Sequence, residues 1–268
     1  SPDHKKLEGF YSRDGIMMVR SQLKSHRDLI NRKIATDLLK IPEGDNDLIY
    51  ESENGKTISG KILKIENLKY FSVKFHKTLT KLKRLFWGRK GPRTAFIYSN
   101  LVKVGIEIFQ KILLQNGYLE YQEKSNDYSI NNDTICYFCG KTYKEHQLNE
   151  SFIIKKADDS SSEYKPKESG KCPKHTFYPA TFISVTGKKT EDAQDVIQED
   201  KQNILNSVFN HIKNKNGKWI KLVLGSRVMN EGISLANVAE VHILDVYFNL
   251  GKVDQVIGRA IRHCSHYK

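Results

Sequence analysis

The chain has 268 residues, 38% of them hydrophobic, with 44 Lys+Arg against 31 Asp+Glu and a formal net charge of +13. That length buries a substantial core in one large or two modest domains, and no apolar run approaches the roughly eighteen residues a membrane span needs, so a membrane is not an expected partner. The basic excess favours a polyanion, most simply nucleic acid, while four cysteines are too few for a disulfide scaffold and fit a reducing, intracellular setting.

The start, SPDHKKLEGFYSRDG, lacks an initiator methionine and the apolar core of a signal peptide, which points to a segment of a longer chain. Residues 1 to 40 are charged and helix-prone, with apolar positions that include Ile16, Leu23, Leu29 and Leu38. Residues 47 to 66 alternate around Asn54-Gly55, the strongest short hairpin signal in the chain. Within it, Gly55-Lys56-Thr57 imitates the end of a phosphate-binding loop, but that loop needs a glycine at position 50, where Tyr50 stands. We read it as a turn.

From Arg93 the pattern becomes strands alternating with helices. Thr94 to Ser99 is a short buried strand leading into a helix over Leu101 to Asn116, which Gly117 is placed to stop. A polar insert, residues 122 to 179, follows. It carries Cys136-x-x-Cys139-Gly140 and Cys172-x-x-His175, two knuckles whose four ligands suit tetrahedral zinc. Such a metal explains how an insert with little apolar content folds, and four protein ligands make the site structural. His146 is the spare ligand if His175 points away, and Cys264 reads as a lone free thiol.

Phe182 to Val185 is the second strand, ending at Thr186-Gly187; a helix is expected over Asp195 to Ile212, a third strand over Trp219 to Leu224 and a fourth over Glu240 to Asp245. This order predicts an α/β fold, a parallel sheet flanked by helices on both faces. Ligands of such sheets sit at the carboxyl ends of the strands, here Tyr98-Ser99-Asn100, Thr186-Gly187 and Gly225 to Glu231. The last predicted helix holds Q-x-x-G-R-x-x-R from Gln255, Gly258, Arg259 and Arg262. Gln255, Arg259 and Arg262 fall at i, i+4 and i+7 on one face, while Val253, Val256, Ile257, Ala260 and Ile261 bury the other. Arginines aligned this way suit a phosphate chain, because the guanidinium stays charged and binds phosphate oxygens in pairs.

Taken together these stretches resemble the second RecA-like lobe of superfamily 2 helicases, in the branch of poxviruses, African swine fever virus and giant viruses that includes nucleoside triphosphatase I and the helicase-like subunit of the early transcription factor. Phe96 to Asn100 with Gly105 looks like motif IV, Ser226 to Leu235 like motif V, and Gln255 to Arg262 with Ser265-His266 like motif VI; Thr186-Gly187 and Phe209-Asn210 also fit. The likeness covers residues 68 to 268 apart from the cysteine insert and leaves residues 1 to 67 as a helical and hairpin extension, by position a bridge between lobes.

The resemblance implies that ATP with Mg²⁺ is held mainly by a first, N-terminal RecA-like lobe, since neither G-x-x-x-x-G-K-S/T nor an acidic D-E-x-D/H tetrad after a strand occurs here. Arg262 looks like the arginine finger, with Arg259 and Gln255 beside it; Glu231, Gly232 and Gly258 would lie near the nucleotide. Ser99, Asn100, Thr186, Gly187, Ser226 and Arg227 would face a DNA or RNA backbone. The expected function is the C-terminal half of an ATP-dependent helicase or translocase in viral transcription, in the virion or infected-cell cytoplasm, inactive alone. The competing reading is a non-catalytic, zinc-bearing module that docks nucleic acid or a viral RNA polymerase.

Overall fold

The computed structural model describes residues 50–51, 58–88, 92–148, 175–189, 195–230 and 233–245. The expected helices of residues 1 to 40, Cys172, Glu231, Gly232 and the segment with Gln255, Gly258, Arg259, Arg262 and Cys264 lie outside the described residues.

Strands β1 (Tyr50–Glu51) and β2 (Ile58–Ser59) pair antiparallel across Asn54-Gly55, as the alternation requires. Helices α1 (Ile65–Phe71) and α2 (Val73–Trp87) follow; the Ser72 hydroxyl caps α2 by accepting from the Phe75 N–H. Then come β3 (Ala95–Tyr98), a wide π-type turn over Val102–Glu107, α3 (Ile108–Gln115) and β4 (Leu119–Glu120). The insert contributes a short α4 (Tyr143–Leu148) before β5 (Thr181–Val185). A two-stranded ribbon of β6 (Lys188–Lys189) and β7 (Asp195–Val196) leads to α5 (Glu199–Ile204), then β8 (Leu222–Gly225) and β9 (Glu240–Ile243).

Five strands form one sheet in the order β4-β5-β8-β3-β9, with every pairing parallel. All four residues of β3 and of β8 are buried, as expected of central strands covered on both faces. Side-chain alternation divides them between two cores. Ala95, Ile97, Leu222, Leu224 and Phe182 pack with α2, α3 and the cysteine knuckle, whereas Phe96, Tyr98, Val223, Ile183 and Val185 pack with Leu205, Phe209 and Val228.

Two expectations are corrected. The predicted helix over Asp195 to Ile212 starts only at Glu199, because Asp195–Val196 pairs with β6, and beyond Ile204 it widens into a π-type turn, Leu205–Phe209. Glu199 and Asp200 sit in its first turn, where the helix dipole favours negative charge. Strand β4 has no counterpart among the expected strands; it forms the sheet's edge against β5. Ile62 and Leu63, which lie before residue 68, belong to the same core as the sheet. Asn116 fastens this segment to α3: its Oδ1 accepts from the Ile65 N–H, and its Nδ2 donates to the carbonyls of Leu63 and Ile112.

Lys221, just before β8, is 0% exposed. Its Nζ donates to the carbonyls of Arg93 and Asn216, both at 3.1 Å, and lies 4.9 Å from the centre of the Phe86 ring. Burial pushes the ammonium down to about 7, against the pull of nearby Cys136. Between about 7 and its ordinary 10.5 the unfolded chain holds a proton that the folded chain releases, so this group makes folding more favourable as pH rises. Urea unfolding from pH 7 to 10 should show the wild type gaining stability relative to Lys221→Met, by at most about 1.4 kcal/mol per pH unit. Parallel curves would contradict the assignment.

Candidate functional site

The register sets the site. Tyr98 lies opposite Gly225 and Ile243, and Val185 opposite Gly225, so four strands end on one line. Backbone pairing runs one step further: the Ser99 N–H donates to Gly225 O, the Ser226 N–H to Val185 O and the Leu244 N–H to Tyr98 O, at 2.9 to 3.1 Å. Ser99-Asn100, Thr186-Gly187, Ser226-Arg227 and Asp245 therefore leave the sheet side by side. Sequence reasoning singles out all of these except Asp245.

Asp245 organises one end of that line. Its Oδ1 accepts from the Ser99 hydroxyl, and its two oxygens accept from the Asn100 N–H at 3.0 and 2.9 Å. Ser99 is 0% exposed, and its hydroxyl also accepts from the Leu101 N–H at 3.1 Å, so it holds the loop from beneath and presents no surface to a ligand. Gly105 is what the site allows here, because a Cβ would stand 2.2 Å from Ser99 Oγ. The only sequence cue for Asp245 is an acid immediately after a strand.

Arg227 is exposed, Asn100, Thr186 and Gly187 are half-buried, and Ser226 is buried. The end of the Ser226 to Leu235 stretch is pinned by Asn210, whose Nδ2 donates to Ser234 O at 2.8 Å and whose Oδ1 accepts from the Ala236 N–H at 2.7 Å. Asn237 completes the clasp by donating to the carbonyls of Phe209 and His211. This edge offers an arginine, backbone amides and small polar side chains, a set suited to sequence-independent phosphate contacts.

A second cluster lies at the opposite ends of the strands. The ligand atoms of Cys136, Cys139, His146 and His175 all fall within 4.8 Å of one another and are buried. Cys136 Sγ is 3.4 Å from His175 Nε2, and Cys139 Sγ is 3.0 Å from His146 Nε2. Zinc bonds of about 2.3 Å to sulfur and 2.0–2.1 Å to nitrogen require neighbouring ligands about 3.3–3.8 Å apart in a tetrahedron, so these donors need only small shifts to hold such an ion. Both His175 and the spare His146 converge on the cysteines. Burial would push the Cys136 thiol up, but hydrogen bonding with Cys139, His146 and His175 holds it well below its ordinary value. That arrangement favours the thiolate a metal needs.

Gly140 turns at φ 71°, and a Cβ there would meet the Trp87 ring at 2.6 Å, so the knuckle closes directly on α2. The Trp87 Nε1–H donates to Tyr137 O at 2.9 Å, and the Tyr137 N–H to Tyr178 O at 2.9 Å. The insert is thereby fastened to the sheet floor beside Lys221.

Residues 181–264 match the helicase conserved C-terminal domain. The chain is similar to a putative ATP-dependent RNA helicase of Acanthamoeba polyphaga mimivirus, with 47% identity over 98% of this chain and 21% of that protein. It is also similar to the early transcription factor 70 kDa subunit of Melanoplus sanguinipes entomopoxvirus, at 27% identity over 62% of this chain and 19% of the relative. A termination factor NPH-I homolog of African swine fever virus is 26% identical over 66% of this chain and 22% of its own length. The chain thus spans about a fifth of the length of these three relatives. No solved structure matches it significantly. Over residues 181–264 the chain is thus similar to a helicase conserved C-terminal domain, and these three relatives are viral proteins.

The tie between Ser99 and Asp245 predicts energetic coupling. A double-mutant cycle of Ser99→Ala and Asp245→Ala, read by urea unfolding, should give an interaction of at least about 1 kcal/mol. Additive effects would show that the pair does not hold the loop.

Proposed function

We propose, on the premise of that likeness, that this chain is the C-terminal part of an ATP-driven helicase or translocase acting on DNA or RNA. The observation that carries the reading is the common edge on which the Ser99, Thr186, Ser226 and Asp245 segments meet. The P-loop and the carboxylates for Mg²⁺ belong to a preceding lobe of the same protein, and ATP is bound between the two. From Asp245 the chain runs on to Gln255, Gly258, Arg259 and Arg262, the residues assigned to this lobe's side of the nucleotide. Arg262 meets the γ-phosphate and Arg259 lies beside it, with Gln255 on the same helical face. Glu231, Gly232 and Gly258 bring backbone close to the phosphates.

An arginine placed there stabilises the charge that spreads over the phosphoryl oxygens in the transition state, and needs no proton transfer to do so. Asn100, Thr186, Gly187, Ser226 and Arg227 contact the nucleic-acid backbone, with Ser99 and Asp245 positioning the Asn100 loop. Closure of the two lobes on ATP and reopening after hydrolysis moves the strand relative to this edge.

The Cys/His cluster holds structural Zn²⁺. Four protein donors leave no open coordination position, and the centre lies at the far ends of the strands, so it braces the insert and takes no part in hydrolysis. We assign the four positions to Cys136, Cys139, His146 and His175, whose donor atoms meet among the described residues. Viral transcription is the setting, supported by likeness to the early transcription factor subunit, and the zinc-braced insert is the surface on which a viral RNA polymerase would dock.

Two experiments test these assignments. In the full-length protein, Arg262→Ala should lower nucleic-acid-stimulated ATP turnover by roughly 10³-fold or more while strand binding persists; undiminished turnover removes Arg262 from the site. Elemental analysis should find one zinc per wild-type chain, a marked loss in Cys136→Ser and His146→Ala, and full occupancy in Cys172→Ser. Loss in Cys172→Ser with retention in His146→Ala would instead place Cys172 in the shell.

A further inference from the structure

Helix α2 carries Lys74, Lys77, Lys81, Lys83 and Arg84 and no acidic residue. Four of them, Lys74, Lys77, Lys81 and Arg84, follow one another at intervals of three, four and three, so they form a single stripe along one face. All four are exposed, whereas Thr78, Leu79, Leu82 and Phe86 fill the opposite, buried face. Among the described residues none of the four forms an ion pair with a carboxylate. Like charges at these spacings repel one another on a helix, and no carboxylate among the described residues neutralises them.

The stripe also has a direction. The first turns of α2 lie beside α3, with Phe75 and Phe109 ring centres 5.8 Å apart, and α3 grows out of the Ser99 loop. The last turn meets the cysteine knuckle through Trp87. Lys74 to Arg84 thus runs for about 15 Å, at 1.5 Å per residue, from the site edge toward the opposite end of the sheet.

We infer that this stripe is a second track for nucleic acid, binding the phosphate backbone of a strand that extends beyond the motif edge. The chemistry favours nucleic acid over an acidic protein. Protein interfaces are built around an apolar centre from which lysine is depleted, and the only large apolar side chain strongly exposed on α2 is Val73, at the helix start. Lysines and an arginine without such a centre match a phosphate chain, whose binding rests on charge and counterion release. The inference rests on nucleic acid being this protein's track and adds phosphate-binding groups that none of the helicase motifs contains.

The test is equilibrium binding of the full-length protein to single-stranded DNA and, in parallel, RNA across a salt series. Lys74→Ala/Lys77→Ala/Lys81→Ala/Arg84→Ala should make the plot of log affinity against log salt shallower by about 3, at about 0.7 for each phosphate no longer neutralised. A control with Lys74→Arg/Lys77→Arg/Lys81→Arg should keep the wild-type slope, and all changed positions are exposed, so the fold is not at stake. A wild-type slope in the alanine variant overturns the inference, and that slope together with failure to bind an acidic protein partner assigns the stripe to the protein. If nucleic acid stimulates ATP turnover and the slope is still unchanged, only the second track fails. If the wild type binds neither DNA nor RNA, the motor reading fails with it.

Discussion

The parallel register of β5, β8 and β3 is the constraint on which everything else depends. Phe182 faces Leu222, and Ala95 faces the same Leu222, so Val185, Gly225 and Tyr98 end level with one another. A slip of one residue in β3 or β8 would exchange the side chains of the two cores, sending Ile97 to the face that Tyr98 occupies. With both faces buried, that exchange is costly, and the register is correspondingly well specified. The functional edge is a by-product of this packing: loops that leave level strands meet without further arrangement.

Strands of four or five residues also separate two kinds of chemistry by about 15 Å, at about 3.3 Å per residue. The carboxyl ends gather amides, hydroxyls and Arg227 for phosphate, while the amino ends gather Cys136, Cys139, His146 and His175. The second set solves a folding problem. In a polar insert entering at β4 and returning at β5, cross-links through a metal add to the apolar anchors of its described residues, such as Phe138 and Phe177. Lys221 sits at the amino ends beside the second set, bonded to loop carbonyls and flanked by the rings of Phe86 and Tyr137. Its lowered proton affinity is the cost of placing an amine in that floor.

Much of this is legible in the sequence. The hairpin around Asn54-Gly55 and strands β3, β5, β8 and β9 announce themselves as short apolar runs bounded by turn residues, and the strand-helix alternation fixes a parallel sheet. β4 has two half-buried residues, too few to show any period. The helix beginning at Glu199 reads too long because Asp195–Val196 is claimed by tertiary pairing that composition cannot reveal. At the site, knuckle spacing identifies Cys136 and Cys139, but His146 reaches the cluster only because α4 folds back, which no fixed spacing encodes. Ser99 reads as a ligand contact because hydroxyls at strand ends so often are; its burial against Asp245 depends on two strands distant in sequence meeting in register.

The central claim is that this chain is one side of a divided ATP site. It is tested most directly by comparing ATP turnover of the folded 268-residue chain with that of the full-length protein, each with and without single-stranded nucleic acid. The account predicts stimulated turnover in the full-length protein and none above background in the chain alone. Turnover by the isolated chain would contradict it, because a complete site would then lie within these residues.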